Sequence, residues 1–224
     1  GIDNILNLSL SSSNGYRYNT DYKNFSAFYK ANFQNILSGL KLSVGFSEKS
    51  YGANGFYSLL YPDQWEHTKS GLMIASLENN NMDLNLNWRF HDDEYLLFRN
   101  DPQKYRNHHI KNNFGLRAKY KTISEYGLLT FGIESGFETI ESNNLGNHER
   151  SRLNIFIDDH LEISDKIILS FGNSIHFSSD WSPKMSPGAD ISIKMSDDIV
   201  AFSTAGYSFR APTYTELYYK SPIN

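Results

Sequence analysis

The chain has 224 residues, of which 25 are acidic, 21 are basic and none is cysteine. The length suits one large β domain or two small ones. The mildly acidic balance and the lack of a basic stripe argue against nucleic acid as the main partner, and the lack of cysteine excludes disulfide and thiolate chemistry. No apolar run approaches the roughly 20 residues of a membrane helix, whereas a membrane-spanning β-strand needs only about 9–11 residues of alternating polarity.

Apolar and polar residues alternate along about eleven segments of the chain, and the aromatic residues, 15% of the total, favour strands. A period of two places each set of side chains on one face of a sheet. The clearest runs, in chain order, are residues 6–10, 40–46, 82–90, 114–120, 129–137, 153–163, 169–177 and 191–195. We therefore predict an all-β chain, an antiparallel meander of about eleven strands.

Short and long links alternate between these segments. The short ones are rich in turn-forming residues and comprise residues 34–38, 79–81, 123–127, 164–166 and 196–198. The long ones comprise residues 12–22, 48–66, 91–107, 141–149 and 179–187. This sorting of links by length is typical of outer-membrane barrels and has no counterpart in a soluble sandwich. Aromatic residues at the ends of the long links also predict an interfacial girdle.

The two predicted faces differ sharply in polarity. One is almost purely apolar, and the other bears the charged residues Asp83, Arg89, Arg117, Lys119, Glu134, Glu138, Asp158, Glu162, Asp190 and Lys194. The apolar face would meet lipid in a large barrel or form the core of a sandwich, and alternation alone leaves both possibilities open. An open sheet of eleven strands would expose its edges, which favours part of a larger barrel and predicts self-association of an isolated piece.

The end of the chain carries a distinctive motif. Phe209, Arg210, Ala211, Pro212 and Thr213 follow an alternating strand, and Glu216 and Leu217 come next. This run resembles the SFRAPT…EL signature of TonB-dependent outer-membrane receptors. Residues 61–69, 89–95, 106–109 and 142–146 are similar to segments of Bacteroidetes-type receptors related to the outer-membrane cobalamin receptor.

The resemblance implies a protein of the outer membrane of a Gram-negative bacterium, not an enzyme. A full receptor of this family has about 22 strands and a plug, so we expect residues 1–224 to be one barrel segment without the plug or the C-terminal strands. The family imports a scarce nutrient complex, such as a corrinoid or a ferric siderophore. Its energy comes from the TonB–ExbB–ExbD complex, which acts through the plug, and its wall contacts lipid.

Candidate ligand contacts are chosen by link position and residue type, since links usually supply recognition. They are Trp65, Tyr95, Arg106, His108, Trp181, Tyr214 and Tyr218. Arg210 has two interpretations, an anchor against plug or loop carboxylates and an interfacial arginine beside Tyr207 and Phe209. The motif recurs across substrates, which favours a structural role for this arginine.

Metal binding has only weak candidates. Asp92, Asp93 and Glu94 offer hard oxygens that suit Ca²⁺ at an extracellular loop, but their spacing matches no EF-hand. We therefore predict no cofactor, with Ca²⁺ as the one alternative.

The sequence offers little support for two other functional classes. Ser174 and His176 share a strand face, but a spacing of two residues predicts that they do not form a nucleophile and base pair. No GxSxG, phosphate-loop or dinucleotide motif occurs in the sequence. A soluble or surface-attached β module that binds a ligand or glycan would explain the alternation but not the sorted links or the arginine motif.

Overall fold

The computed structural model describes residues 1–33, 39–125 and 127–219. They form one antiparallel sheet of eleven strands in which every strand pairs with its neighbours in sequence. The strands are β1 (Ile2–Ser13), β2 (Tyr22–Phe33), β3 (Leu40–Gly52), β4 (Trp65–Glu78), β5 (Met82–Leu96), β6 (Arg106–Ser124), β7 (Gly127–Ser142), β8 (His148–Ser164), β9 (Ile167–Ser178), β10 (Lys184–Lys194) and β11 (Val200–Gly206). The predicted all-β meander is confirmed.

The links at one end of the sheet are longer on average than those at the other. The strict sorting predicted from the sequence does not hold, because the link at residues 195–199 is as long as those at residues 143–147 and 179–183. In an antiparallel meander, successive links lie at alternating ends of the sheet. The links at one end are residues 79–81, 165–166 and 195–199. The links at the other end are residues 14–21, 53–64, 97–105, 143–147 and 179–183. The predicted short link at residues 34–38 and residue 126 of the next one lie outside the described residues.

The strands run further towards the long links than the alternation predicted. The link predicted at residues 91–107 shrinks to residues 97–105, because β5 and β6 stay paired up to Leu96 and Arg106. Cross-strand ion pairs support this extension: Asp92 lies 2.7 Å from His108 and Glu94 lies 2.6 Å from Arg106. With 19 residues, β6 exceeds the roughly 9–11 that cross a bilayer, so its charged end projects beyond the apolar band.

The apolar face has no covering layer among the described residues. Leu8 is 64% exposed, Leu86 49% and Ile155 47%, although all three sit in the middle of strands. The buried core is a small cluster of Ile140, Leu145 and Tyr214 at the long-link end. A sandwich would bury the apolar face against a second sheet, and this chain forms a single sheet in its described part. The exposed face is the surface expected to meet lipid.

The polar face is linked by charged and amide side chains. Lys119 pairs with Asp83 at 2.9 Å and Arg117 pairs with Glu134 at 3.1 Å. These pairs join neighbouring strands, and an amide of Asn85 donates to Ser76 in the same way. A face of this kind suits contact with water or with another polar domain.

No helix of the described residues is long and apolar enough to cross a membrane. The single short helix among them is α1 (Tyr214–Tyr218), which was predicted as loop. Thr213 caps it: its side chain accepts a hydrogen bond from the Glu216 backbone, and Glu216 reaches back to the Thr213 backbone. This reciprocal capping box satisfies two free backbone donors and starts the helix.

Candidate functional site

The chain after β11 folds back across the polar face of the sheet. The ring of Phe209 meets His176 of β9 edge to face, with ring centres 4.9 Å apart. Arg150 of β8 donates through Nη1 to the carbonyl oxygen of Pro212 at 3.0 Å. Residues 207–219, called the motif segment below, are therefore anchored to two strands rather than continuing the sheet.

The arginine of the motif is bound within the motif itself. Both terminal nitrogens of Arg210 contact the Glu216 carboxylate, at 2.8 and 2.6 Å. Glu216 also accepts bonds from the backbone and hydroxyl of Thr213. The hydrogen bonds from Arg210 and Thr213 lower the pKa of Glu216 to about 2. Of the two interpretations of Arg210, the structure supports the anchor, with the carboxylate supplied by Glu216, six residues further along the same segment.

An aromatic cluster encloses Arg150. Its guanidinium lies over the ring of Trp181 at 5.2 Å and over the ring of Tyr214 at 4.8 Å. On the far side of the cluster, the rings of His148 and Tyr218 stack with centres 3.6 Å apart. His148 and Arg150 are on the polar face because they alternate with the apolar-face residues of β8. Tyr214 is buried, and this burial raises the pKa of its hydroxyl.

A pocket of about 520 Å³ lies beside this cluster on the polar face. Trp181, Phe209 and Ala211 contribute to its lining from the long-link end, and the polar wall includes Arg152 and His176. The motif segment therefore builds one side of a cavity whose other side is the sheet.

A second group of contacts ties three long links together. Arg99, in the link at residues 97–105, makes two hydrogen bonds to the Asp21 carboxylate, and its guanidinium lies 5.9 Å from the Trp65 ring centre. The hydrogen bond to Arg99 holds the pKa of Asp21 below its ordinary value. Asn19 adopts a left-handed backbone with φ 52° and donates to the carbonyls of Pro62 and Gln64. The three links therefore form one packed layer.

A third cluster lies at the top of the polar face. The rings of Tyr57 and Tyr95 meet edge to face with centres 5.4 Å apart, and the Tyr57 hydroxyl bonds to Glu66. Burial and this hydrogen bond raise the pKa of Tyr57. Tyrosines in such a setting present an apolar ring and a fixed hydroxyl together.

The strand alternation divides the predicted ligand contacts between two faces. Tyr95, Trp181, Tyr214 and Tyr218 lie on the polar side, the last three in the aromatic cluster. Trp65, Arg106 and His108 lie on the other side, where Arg106 and His108 pair with acids of β5. Tyr95 and Trp181 therefore do not belong to an interfacial girdle at the lipid side, as their position at the link ends had suggested.

The weak metal candidates do not converge. Asp92 and Glu94 point to the side of His108 and Arg106, and Asp93 between them points to the polar face. Within the described ranges, no group of three or more His, Cys, Asp or Glu side chains is placed to hold a metal ion.

Contrary to the geometric argument from their spacing of two residues, Ser174 and His176 form a hydrogen bond. The Ser174 hydroxyl lies 2.9 Å from Nε2 of His176, because the twisted strand brings residues two apart on one face within reach. The same kind of Ser–His contact occurs across neighbouring strands on the polar face in three further pairs: Ser70 with His91, His109 with Ser142, and His160 with Ser170. A contact that recurs this often satisfies polar groups of the wall and does not mark a nucleophile.

Two features of the site were not predicted from the sequence. Arg150 fell between the predicted link at residues 141–149 and the strand run predicted from residue 153, and no local pattern distinguishes it from the other charged residues of the polar face. The capping box could have been predicted, since Thr213 and Glu216 have the S/T-x-x-E spacing that begins a helix.

A single twisted meander with an uncovered apolar face, an ion-paired polar face and links that are longer on average at one end defines the wall of an outer-membrane β-barrel. The sequence model of the family described as TonB dependent receptor-like, beta-barrel, matches residues 2–223, and the chain belongs to this family. Its place is therefore the outer membrane of a Gram-negative bacterium, with the apolar face towards lipid.

Solved structures agree with this fold. The chain is similar to the siderophore receptor PirA from Pseudomonas aeruginosa, with a TM-score of 0.67, 13% identity and coverage of 86% of this chain and 34% of that one. It is also similar to PirA from Acinetobacter baumannii, with a TM-score of 0.64, 12% identity and the same coverage. The chain thus spans about a third of the length of these receptors. None of the curated proteins matches it in sequence.

Proposed function

We propose that this chain is part of the wall of an outer-membrane active transporter that binds a scarce nutrient complex and imports it without chemical change. The observation that carries the proposal is the folding of the motif segment across the polar face, where it encloses a pocket instead of extending the sheet. Ligand sites are concave and combine apolar walls with placed polar groups, and this pocket joins rings such as Phe209 and Trp181 to polar side chains such as Arg152 and His176.

The long-link end is the entry side in this proposal, because the long links of such barrels face the outside. The ligand would contact side chains on the polar face, foremost Tyr95, Trp181, Tyr214 and Tyr218. A plug domain in the complete receptor would close the lumen and receive energy from the TonB–ExbB–ExbD complex. Ca²⁺ is a minor alternative in this proposal, with Asp92, Asp93 and Glu94, at the long-link end of β5, as its candidate oxygen ligands.

The substrate is a corrinoid or a ferric siderophore. The two similar structures are siderophore receptors by name, and their low identity supports the shared fold rather than a shared ligand. The residues that resemble cobalamin-receptor segments support the corrinoid. A soluble binding module is disfavoured, because the apolar face would stay uncovered in water.

Uptake by the full-length receptor tests this function. The receptor would be expressed in a Gram-negative strain that lacks its own corrinoid and siderophore receptors, with and without a working TonB, and given radiolabelled cobalamin or radiolabelled ferric siderophores. We expect TonB-dependent uptake of one of the two classes. Equal uptake without TonB, or surface-expressed receptor with uptake of neither class, would refute the proposal.

The motif segment gives a second test with the same assay. Replacing Tyr214 and Tyr218 with alanine should weaken uptake while surface expression is kept, because both rings belong to the aromatic cluster. Replacing Tyr29 and Tyr120, which are exposed on the apolar face, is the matched control. Unchanged uptake in the Tyr214 and Tyr218 variant would remove the cluster from the ligand path.

A further inference from the structure

Three buried hydrogen-bond donors of the aromatic cluster are unpaired within the described part of the chain. The Arg150 side chain is only 4% exposed; its Nε bonds to Asp180 and its Nη1 to the Pro212 carbonyl, but Nη2 is left over. The indole nitrogen of Trp181 and the hydroxyl of Tyr214 are likewise buried without a partner. Buried polar groups in proteins are nearly always hydrogen-bonded, so three unpaired groups in one place call for an acceptor.

The side chains that carry these three groups meet at Arg150. The Arg150 guanidinium lies over both rings, at 5.2 Å from the Trp181 ring centre and 4.8 Å from the Tyr214 ring centre. Arg150 is also fixed at two of its nitrogens, so Nη2 is held in a defined position. The cluster is thus a rigid arrangement of donors, prepared before any acceptor arrives.

The chemistry of the missing partner follows from the donor set. A guanidinium nitrogen and an indole nitrogen only donate, and a tyrosine hydroxyl donates to stronger acceptors. Hydrogen bonds from a cation to an ionised oxygen are about twice as strong as neutral ones. The two nearby acids leave the site without net negative charge, because Asp180 is paired with Arg150 and Glu138 is paired with Arg152.

We propose that Arg150, Trp181 and Tyr214 form a binding site for an oxyanion, a carboxylate above all, on the nutrient complex that the receptor imports. This inference rests on the proposed transport function for the identity of the carrier. Of the three side chains, Trp181 lines the 520 Å³ pocket; Arg150 lies against the Trp181 ring and Tyr214 against Arg150, so an oxyanion would reach them from the pocket past Trp181. Phe209 and His176 border the same pocket and suit a carboxylate attached to a planar ring.

The test uses the full-length receptor in detergent, labelled with 5-fluorotryptophan, and follows the fluorine NMR signal of Trp181. Trp181→Phe assigns that signal by removing it. Benzoate and benzamide are the probes, because they have the same shape and differ in charge. We expect a saturable shift of the Trp181 signal with benzoate and binding at least tenfold weaker with benzamide.

Two tyrosine variants isolate the donor. Tyr214→Phe removes one hydroxyl and keeps the ring under Arg150, so benzoate binding should weaken about tenfold, the loss of one hydrogen bond to a charged group. Tyr219→Phe removes an exposed hydroxyl one residue after the same helix and should leave the affinity unchanged.

Specific results of these binding experiments would overturn the proposed oxyanion site. No shift with benzoate in the wild-type receptor, or equal affinity in the Tyr214→Phe and wild-type receptors, overturns the proposal. If benzoate is silent but Tyr214→Phe alone moves the Trp181 signal, the acceptor comes from another part of the receptor and the ligand is not its source. Benzoate binding is measured without TonB, so it is independent of transport. Import of the nutrient without benzoate binding refutes this site alone. Benzoate binding without import refutes the transport function.

Discussion

Arg150 and Asp180 form an ion pair that is almost closed to solvent. The Nε of Arg150 lies 2.6 Å from the Asp180 carboxylate, and the two side chains are 4% and 22% exposed. Burial alone would raise the pKa of Asp180, but the hydrogen bonds from Ser179 and Arg150 outweigh it and lower that pKa. The pair joins β8 to the link at residues 179–183, and it holds the guanidinium where the motif segment crosses the sheet.

Asp180→Asn should destabilise the receptor because it leaves a buried arginine without a counter-charge. Removing one partner of a buried pair typically costs about 3–5 kcal/mol of unfolding free energy. Thermal unfolding of the full-length receptor in detergent measures the loss. The control is Asp197→Asn: Asp197 pairs with Lys194 but is 95% exposed, and such surface pairs contribute at most about 1 kcal/mol. Equal effects of the two variants would show that the Arg150 pair is not closed to solvent in the receptor.

The clamp between Arg210 and Glu216 predicts a specific pH dependence. The pKa of Glu216 is lowered from 4.5 to about 2, so the folded segment gains stability from the ionised form above pH 4.5 and loses it as the pH falls towards 2. At neutral pH, Glu216→Gln should speed amide hydrogen exchange in residues 213–219, since the ionic bonds to Arg210 are lost. The exposed Glu149→Gln is the control, with unchanged exchange expected. Exchange in the wild-type segment that is already fast at pH 6 would contradict the clamp.

The sequence was sufficient for the strands and their faces because a period of two is a local signal. The charged residues assigned to one face, from Asp83 to Lys194, all lie on the polar face, and the eleven strands follow in the predicted order. The strands were predicted too short at the long links, since charged residues such as Asp92 and His108 were assigned to loops. Their pairing across β5 and β6 depends on the register, which the sequence does not display.

The candidate site was predictable only by residue type. Tyr214 and Tyr218 were named for their position after the motif, and both lie in the aromatic cluster. Arg106 and His108 were named for the same reasons but face away from the polar side. Side chains alternate between the two faces of a strand, and both residues occupy even-numbered positions of β6, which lie on the apolar side. Arg150 was missed, since its burial arises from Trp181 and Tyr214, which are 31 and 64 residues further along the chain.

Arg99 should control the order of the long links, because it joins the links at residues 14–21 and 97–105 through Asp21 and lies over Trp65. Arg99→Gln should increase the rate of limited proteolysis at residues 53–64 in the full-length receptor, while the barrel stays folded. Arg106→Gln is the matched control: Arg106 also pairs with an acid, Glu94, but on strand residues rather than between links. Equal proteolysis of the two variants would mean that the links are held by other contacts.

The last prediction concerns the lipid side of the sheet. Ile155 lies on the apolar face of β8 and is 47% exposed, and Asp158, three residues later, lies on the polar face. An arginine on the lipid side near the bilayer midplane costs about 2–4 kcal/mol, so Ile155→Arg should lower the stability of the receptor folded into phospholipid vesicles by that amount. Asp158→Arg places the same side chain on the wet face and should change the stability by less than about 1 kcal/mol. Urea titration of both variants gives the two values, and a larger loss for Asp158→Arg would reverse the assignment of the faces.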